Sequence, residues 1–250
     1  MPRALVIAVV GSLAIARAAA AEPAPPPVLL DHVLTAPTAW LPEAGSVVGW
    51  TGLDHHGDGS IDLGYGLGGL AAVDVGADTD VRASTVAGGA PQPIALGRAG
   101  FRLGVPRRRL GAVTVGAVVG ARATFAGDGR RVSDLYVVAS AWLGPVRLHA
   151  GADAFDGKAS SDGARLGDTI RPSFGAELTP PQYPRTTLLA DVAWLPRFDG
   201  ATPVVEYLAG GGVRYQALAW GAIELDVRAR EGEGLGDARV MVRLDGVWAR

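Results

Sequence analysis

Residues two apart in the second half of this chain share a chemistry, and residues one apart do not. In the last such run Val240, Val242, Leu244, Gly246 and Trp248 fall on one side, and Arg239, Met241, Arg243, Asp245 and Val247 on the other. The run before it sets Ile223, Leu225, Val227 and Ala229 against Glu224, Asp226, Arg228 and Arg230. A β-strand turns successive side chains to opposite faces, so each run reads as a strand with one apolar and one charged face. Six runs carry the phase most clearly, at 113–122, 134–143, 146–155, 187–194, 222–230 and 239–248. Their apolar phase holds 28 residues and no charge, whereas the opposite phase holds 29, of which 12 are charged.

No convincing helical period interrupts the pattern, which predicts an all-β fold. Twelve strands are expected near 46–53, 60–67, 70–81, 94–104, 112–124, 132–143, 146–155, 169–178, 185–195, 204–215, 220–230 and 237–248. The connections alternate in kind. Short or proline-rich turns fall at 68–69, 106–111, 144–145, 180–184 and 216–219. Polar and mostly longer loops fall at 54–59, 82–93, 126–131, 156–168, 196–203 and 231–236. That order describes an up-and-down antiparallel meander with one tidy end, to which twelve strands return both termini.

The N-terminal region reads differently. Met1-Pro2-Arg3, an apolar stretch at 4–16 and Ala19-Ala20-Ala21 describe a secretory signal peptide over 1–21. The stretch is too short for a transmembrane helix, which needs roughly 20 residues. Residues 22–45 open with a Pro/Ala tether and continue through the proline-interrupted run 35–42. They are expected as an irregular periplasmic segment, with the β-structure occupying 46–250.

Charge excludes some classes. Without Arg3 and Arg17 the balance is 21 basic against 25 acidic residues, a net −4, and no basic cluster points to nucleic acid. The chain has no cysteine, so disulfides and thiolate metal sites are ruled out. A charge on a lipid-facing strand position costs about 2–4 kcal/mol at mid-bilayer, which would clear one phase of charge. A soluble β protein with an apolar core predicts the same alternation. The slim Ala, Gly and Val content of the apolar phase favours a lipid face over a packed core. The placement of Trp142, Trp220 and Trp248 at the tidy rim points the same way.

With its signal peptide, meander, dyad repeat and final amphipathic strand carrying Trp248 near the end, the chain resembles the bacterial outer-membrane β-barrels. The resemblance is architectural and covers nearly the whole mature chain. It implies an up-and-down antiparallel transmembrane β-barrel of about 12 strands, exported to the outer membrane of a Gram-negative bacterium, with outer-membrane lipids as partners.

The functional candidates are the charges of the inward phase: Arg122, Asp134, Arg147, Asp153, Asp191, Glu206, Arg214, Glu224, Asp226, Arg228, Arg243 and Asp245. Arg98, Arg102, Arg171 and Glu177 share that phase. Such a lining suits a narrow passive pore for small hydrophilic solutes. The same charges, closed into an ion-pair network, would instead make a non-conducting structural or adhesive barrel, and cross-strand register decides between the two. A two-residue turn at Gly144-Pro145 places Ser140 opposite His149 and Trp142 opposite Arg147. Outer-membrane phospholipases complete a Ser–His pair with Asn, which this chain lacks, and Asp153 lies about 13 Å along the strand from His149. The expectation is a cross-strand hydrogen bond; a lipid-modifying enzyme is the third reading, and no catalytic residue or cofactor is assigned. The loop Asp54-His55-His56-Gly57-Asp58-Gly59 has metal-ligating residue types but no complete ligand spacing. Asp-Gly pairs are ordinary hairpin chemistry, so no metal is assigned there.

Overall fold

A computed structural model describes residues 30–78, 81–84, 88–89, 92–158, 165–200, 202–234 and 236–248. The expected signal peptide and tether lie outside the described residues. The wall is built from β1 (Val47–Asp54), β2 (Gly59–Gly66) and β3 (Ala71–Asp78). It continues with β6 (Leu96–Leu110), β7 (Val113–Phe125), β8 (Arg131–Leu143) and β9 (Val146–Lys158). It is completed by β10 (Arg165–Leu178), β11 (Thr186–Asp199), β12 (Thr202–Leu218), β13 (Gly221–Arg230) and β14 (Arg239–Trp248). Neighbours pair antiparallel, and β1 pairs with both β2 and β14, so the sheet closes into a twelve-stranded barrel.

The facing agrees with the sequence pattern. Leu135, Val137, Leu188, Ile223, Val242 and Leu244 point outward and are exposed. Arg147, Asp153, Asp191, Glu224, Arg228 and Arg243 point inward and are buried. A soluble core would reverse this. An exposed apolar band around the whole wall is what a bilayer covers. At the tidy rim Trp220 and Trp248 lie side by side, ring centroids 5.8 Å apart, and both are exposed. Trp142 turns instead to the lumen mouth, where it meets Trp40 edge-on at 6.4 Å.

Some boundaries move, in two places past a proline. β6 runs past 104 to Leu110, with a register shift between Val105 and Arg108 that accommodates Pro106. The loop expected at 196–203 shrinks to a tight turn, because β11 continues through Pro196 and β12 starts before Pro203. A proline breaks a ladder only where its N–H is needed, and bulges and strand margins do not need it. The expected loop at 156–168 shrinks as well, since β9 reaches Lys158 and β10 starts at Arg165. The loop expected at 82–93 carries two short strands, β4 (Arg82–Ser84) and β5 (Gln92–Pro93). β4 pairs parallel to β11.

The largest difference concerns residues 28–45, read from the sequence as periplasmic. The described part from Leu30 to Leu41 enters the barrel, and Glu43 and Ala44 are exposed in the turn before β1. Leu30, Val33, Leu34, Ala36, Thr38, Ala39 and Trp40 are all 2% exposed or less. Two apolar residues of this segment, Val33 and Leu34, cluster with Leu189 of β11.

Candidate functional site

The segment folds as a small hairpin. The Val33 amide donates to the Ala36 carbonyl at 2.9 Å and the Thr38 amide to the Asp31 carbonyl at 2.8 Å. At its tip three consecutive amides, from Leu34, Thr35 and Ala36, converge on Asp191 Oδ2 at 3.1, 2.6 and 2.7 Å. Consecutive amides in a turn make a concave anion-binding nest, and here a wall carboxylate fills it. Arginines of the wall take the outward carbonyls. Arg214 donates to the Val33 carbonyl at 2.8 Å and Arg243 to the Leu34 carbonyl at 2.6 Å. Arg228 reaches the Thr35 hydroxyl at 3.2 Å. The wall leaves room for the hairpin: a β-carbon at Gly175 would sit 2.6 Å from Val33 Cγ2, and one at Gly210 2.9 Å from Leu34 Cδ1.

Toward the tidy end the Ala39 amide donates to Ser140 Oγ at 2.7 Å. Ser140 Oγ is 2.7 Å from His149 Nδ1, and His149 Nε2 is 3.2 Å from Glu177 Oε1. The cross-strand register expected at this hairpin is the one observed, Ser140↔His149 and Trp142↔Arg147. Glu177, read from the sequence as an inward charge but not as a neighbour of His149, completes the line from β10 and also pairs with Arg147 at 3.1 Å. All three members are buried, and the plug amide occupies the serine oxygen.

The remaining inward charges pair among themselves. Arg214 and Arg243 share Glu224, at 2.8 and 3.2 Å. Asp245 lies 3.7 Å from Arg214. Arg228 binds Asp226 at 2.7 Å, and Glu206 is held by Arg230 at 2.6 Å and Arg197 at 3.2 Å. Arg122 binds Asp134 at 3.0 Å and stacks over Tyr136 at 5.0 Å. Asp153 lies deeper, with the Ser173 hydroxyl as its hydrogen-bond donor. Thus all twelve sequence candidates lie on the inward phase; Asp191, Arg214, Arg228 and Arg243 grip the hairpin. On the hairpin itself, burial works against the Asp31 carboxylate, but Arg102 at 2.6 Å, His32 and Arg98 hold its pKa well below the ordinary 3.8.

At the loop end the lumen is closed by different chemistry. Val81 and Ala83, from the β3–β6 connection, pack with Leu96, Val132, Phe155 and Phe198 into an apolar cluster. Between this lid and the hairpin remains a chamber of about 90 Å³, lined among others by Asp31, His32, Asp62, Arg98, Arg122 and Asp153. At the outer rim Asp54 Oδ1 caps the amides of His56 and Asp58, and Arg239 pairs with both Asp54 and Asp58 at 3.1 Å. These contacts are those of a braced hairpin turn.

No family model and no curated relative matches this chain. Solved structures do. KdgM porin matches at a TM-score of 0.50 with 5% identity, over 82% of this chain and 99% of that one. An active-site mutant of outer membrane phospholipase A from Escherichia coli matches at 0.47 with 13% identity, over 88% and 93%. A BenF-like porin from Pseudomonas fluorescens Pf-5 matches at 0.41 with 11% identity, over 76% and 54%. Identities this low speak to fold alone. The chain has the fold of the outer-membrane β-barrels: twelve antiparallel strands with an apolar exterior and a charged interior.

Proposed function

We propose that this protein is an outer-membrane barrel that rests closed, its N-terminal hairpin plugging a narrow passage for small hydrophilic solutes. The observation that carries this reading is the seat of the hairpin on Asp191, with Arg214, Arg228 and Arg243 around it. Backbone groups bound to wall charges can be exchanged for water. A wall that kept those charges after the hairpin left would be wet enough to pass polar solutes. The outer membrane of a Gram-negative bacterium is the proposed location, supported by the apolar exterior and by the export signal read from residues 1–21.

The apolar lid favours a second reading, a purely structural barrel, because an apolar constriction does not wet readily. The Ser140–His149–Glu177 line fits a latch better than a reaction centre. Its serine oxygen already accepts a plug amide, and no substrate carbonyl could approach while the hairpin is seated.

Single-channel recording in a planar bilayer separates these readings. The mature chain should be silent, and a double variant Asp191→Ala/Phe198→Ala, which loosens both closures, should give discrete steps. A folded double variant that never conducts would support the structural barrel. Steady conductance from the unaltered chain would remove the plug from the account.

A further inference from the structure

The barrel wall is interrupted at one level. Among the described residues the ladder between β10 and β11 stops at Phe174↔Val192, and β4 takes up the free edge of β11 only from Arg197. Between those points Ala193, Trp194, Leu195 and Pro196 are paired on the β12 side alone. Pro172 and Pro196 sit on the two margins, positions where no N–H is needed. The Trp194 indole N–H spans the gap to the Pro172 carbonyl at 2.8 Å. Ala193 belongs to the inward phase and Trp194 to the outward one, yet both line the chamber, as do Leu195 and Pro196. The chamber therefore reaches this break in the wall, a window covered by Trp194, whose ring lies under Arg171 at 4.9 Å and edge-on to Tyr207 at 5.9 Å.

The polar lining carries five carboxylates, on Asp31, Asp62, Asp74, Asp134 and Asp153, against four arginines, Arg98, Arg102, Arg122 and Arg243. Arg98 is paired with Asp62, Arg102 with Asp31 at 2.6 Å and Asp74 at 3.4 Å, and Arg122 with Asp134 at 3.0 Å. Arg243 is committed to Glu224 and the Leu34 carbonyl. Asp153, 4% exposed, accepts from the Ser173 hydroxyl and shares the Arg122 charge with Asp134. His32 is 9% exposed, its Nδ1 lies 2.7 Å from Asp31, and its buried Nε2 has no partner. A neutral imidazole that donates from Nδ1 presents a lone pair at Nε2. A lining with one carboxylate more than its arginines can match, and a buried lone pair without a donor, both call for a donor-bearing positive guest. The volume is sufficient: one water needs roughly 10–15 Å³ on the same scale, so about six waters or one small organic ion would fit.

We infer that this chamber is a binding site for a primary alkylammonium ion, its head group on Asp153 and His32 and its alkyl part toward the window at Trp194, Leu195 and Pro196. The site does not require the barrel to conduct, so it stands or falls apart from the proposed pore.

Equilibrium urea unfolding of the full mature chain in a nonionic detergent tests it, with n-butylammonium, n-butanol or butyrate present throughout. The chain folds in the presence of the probe, so access through the window cannot limit the result. A guest bound only to the folded state raises the unfolding midpoint in proportion to the logarithm of its concentration. Butylammonium should raise the midpoint, the other two should not, and Asp153→Asn should weaken the effect at least about tenfold in concentration. No rise, an equal rise with butanol, or a rise undiminished in Asp153→Asn would each overturn the site and leave the chamber to ordered water.

Discussion

The two ends of the lumen are closed by opposite chemistry. At the tidy end a backbone hairpin is held by amides on Asp191 and carbonyls on Arg214 and Arg243. At the loop end Val81, Leu96, Val132, Phe155 and Phe198 shut the barrel with hydrocarbon. Per group the two are comparable: a hydrogen bond to a charged group contributes about 1.5–3 kcal/mol net, and a buried Val, Leu or Phe about 1.5–3 kcal/mol. They differ in what can replace them. Water can take over every hydrogen bond of the hairpin, leaving only the packing of Val33 and Leu34 on Leu189 and of Ala39 on Val118, Tyr136 and Val138 to be lost, whereas nothing in water replaces the contacts of the lid. The hairpin is thus the closure able to exchange, and the lid the one that holds.

Substitutions can break that contrast. Asp191→Ala removes the acceptor of three amides and leaves Arg228 facing an emptied site. Loss of one member of a buried charge cluster costs about 3–5 kcal/mol, so the hairpin should undock while the barrel stays folded. Limited proteolysis should then cut within 30–41 but spare the strands; equal protection of that segment in the variant would deny Asp191 its role. Phe198→Ala deletes a fully buried ring and should cost about 3–4 kcal/mol of lid stability. Proteolysis in the β3–β6 loop should rise, with the hairpin unaffected. If instead the hairpin also came free, the two closures would be one cooperative unit.

Outside, Val137→Arg should lower barrel stability in lipid by about 2–4 kcal/mol, measured by urea unfolding in vesicles. A neutral outcome would mean that this face does not meet lipid. Trp220→Ala loses its ring contact with Trp248 and should cost about 0.5–1.5 kcal/mol in the same assay. The smallest effect expected is that of mild acid on the Asp31–Arg102 tie. Its carboxyl has a depressed pKa in the folded chain, so its contribution is present above the ordinary value of 3.8 and is lost only as pH falls through the folded one. Between pH 7 and 5 this tie should not loosen, as followed by hairpin proteolysis of Asp31→Asn beside the unaltered chain; a loss of protection in that window that Asp31→Asn abolishes would contradict it.

Much of the wall was legible because strand chemistry is local. A dyad period needs only neighbours, and the two-residue turn at 144–145 was enough to place Ser140 against His149. The plug was not legible for the opposite reason. Leu34 meets Asp191 across 157 positions and Arg243 across 209, and a hairpin broken by prolines carries no period to read. A signal was nevertheless present in two places. Val33, Leu34, Ala39, Trp40 and Leu41 are too apolar for an exposed tail, and Gly175 and Gly210 interrupt the inward phase where Val33 and Leu34 press against the wall. Glu177 was visible as an inward charge, but its place beside His149 depends on the β9–β10 register, which its longer connection does not set.

The central claim is that residues 30–41 fill the lumen, and amide hydrogen exchange of Leu34, Thr35 and Ala36 tests it without any substitution. In the mature chain in detergent these three amides should exchange as slowly as those of the wall strands, and Asp191→Ala should release them while the strands remain protected. Exchange at the rate of an unstructured peptide in the unaltered chain would contradict the plug and return the lumen charges to an open passage.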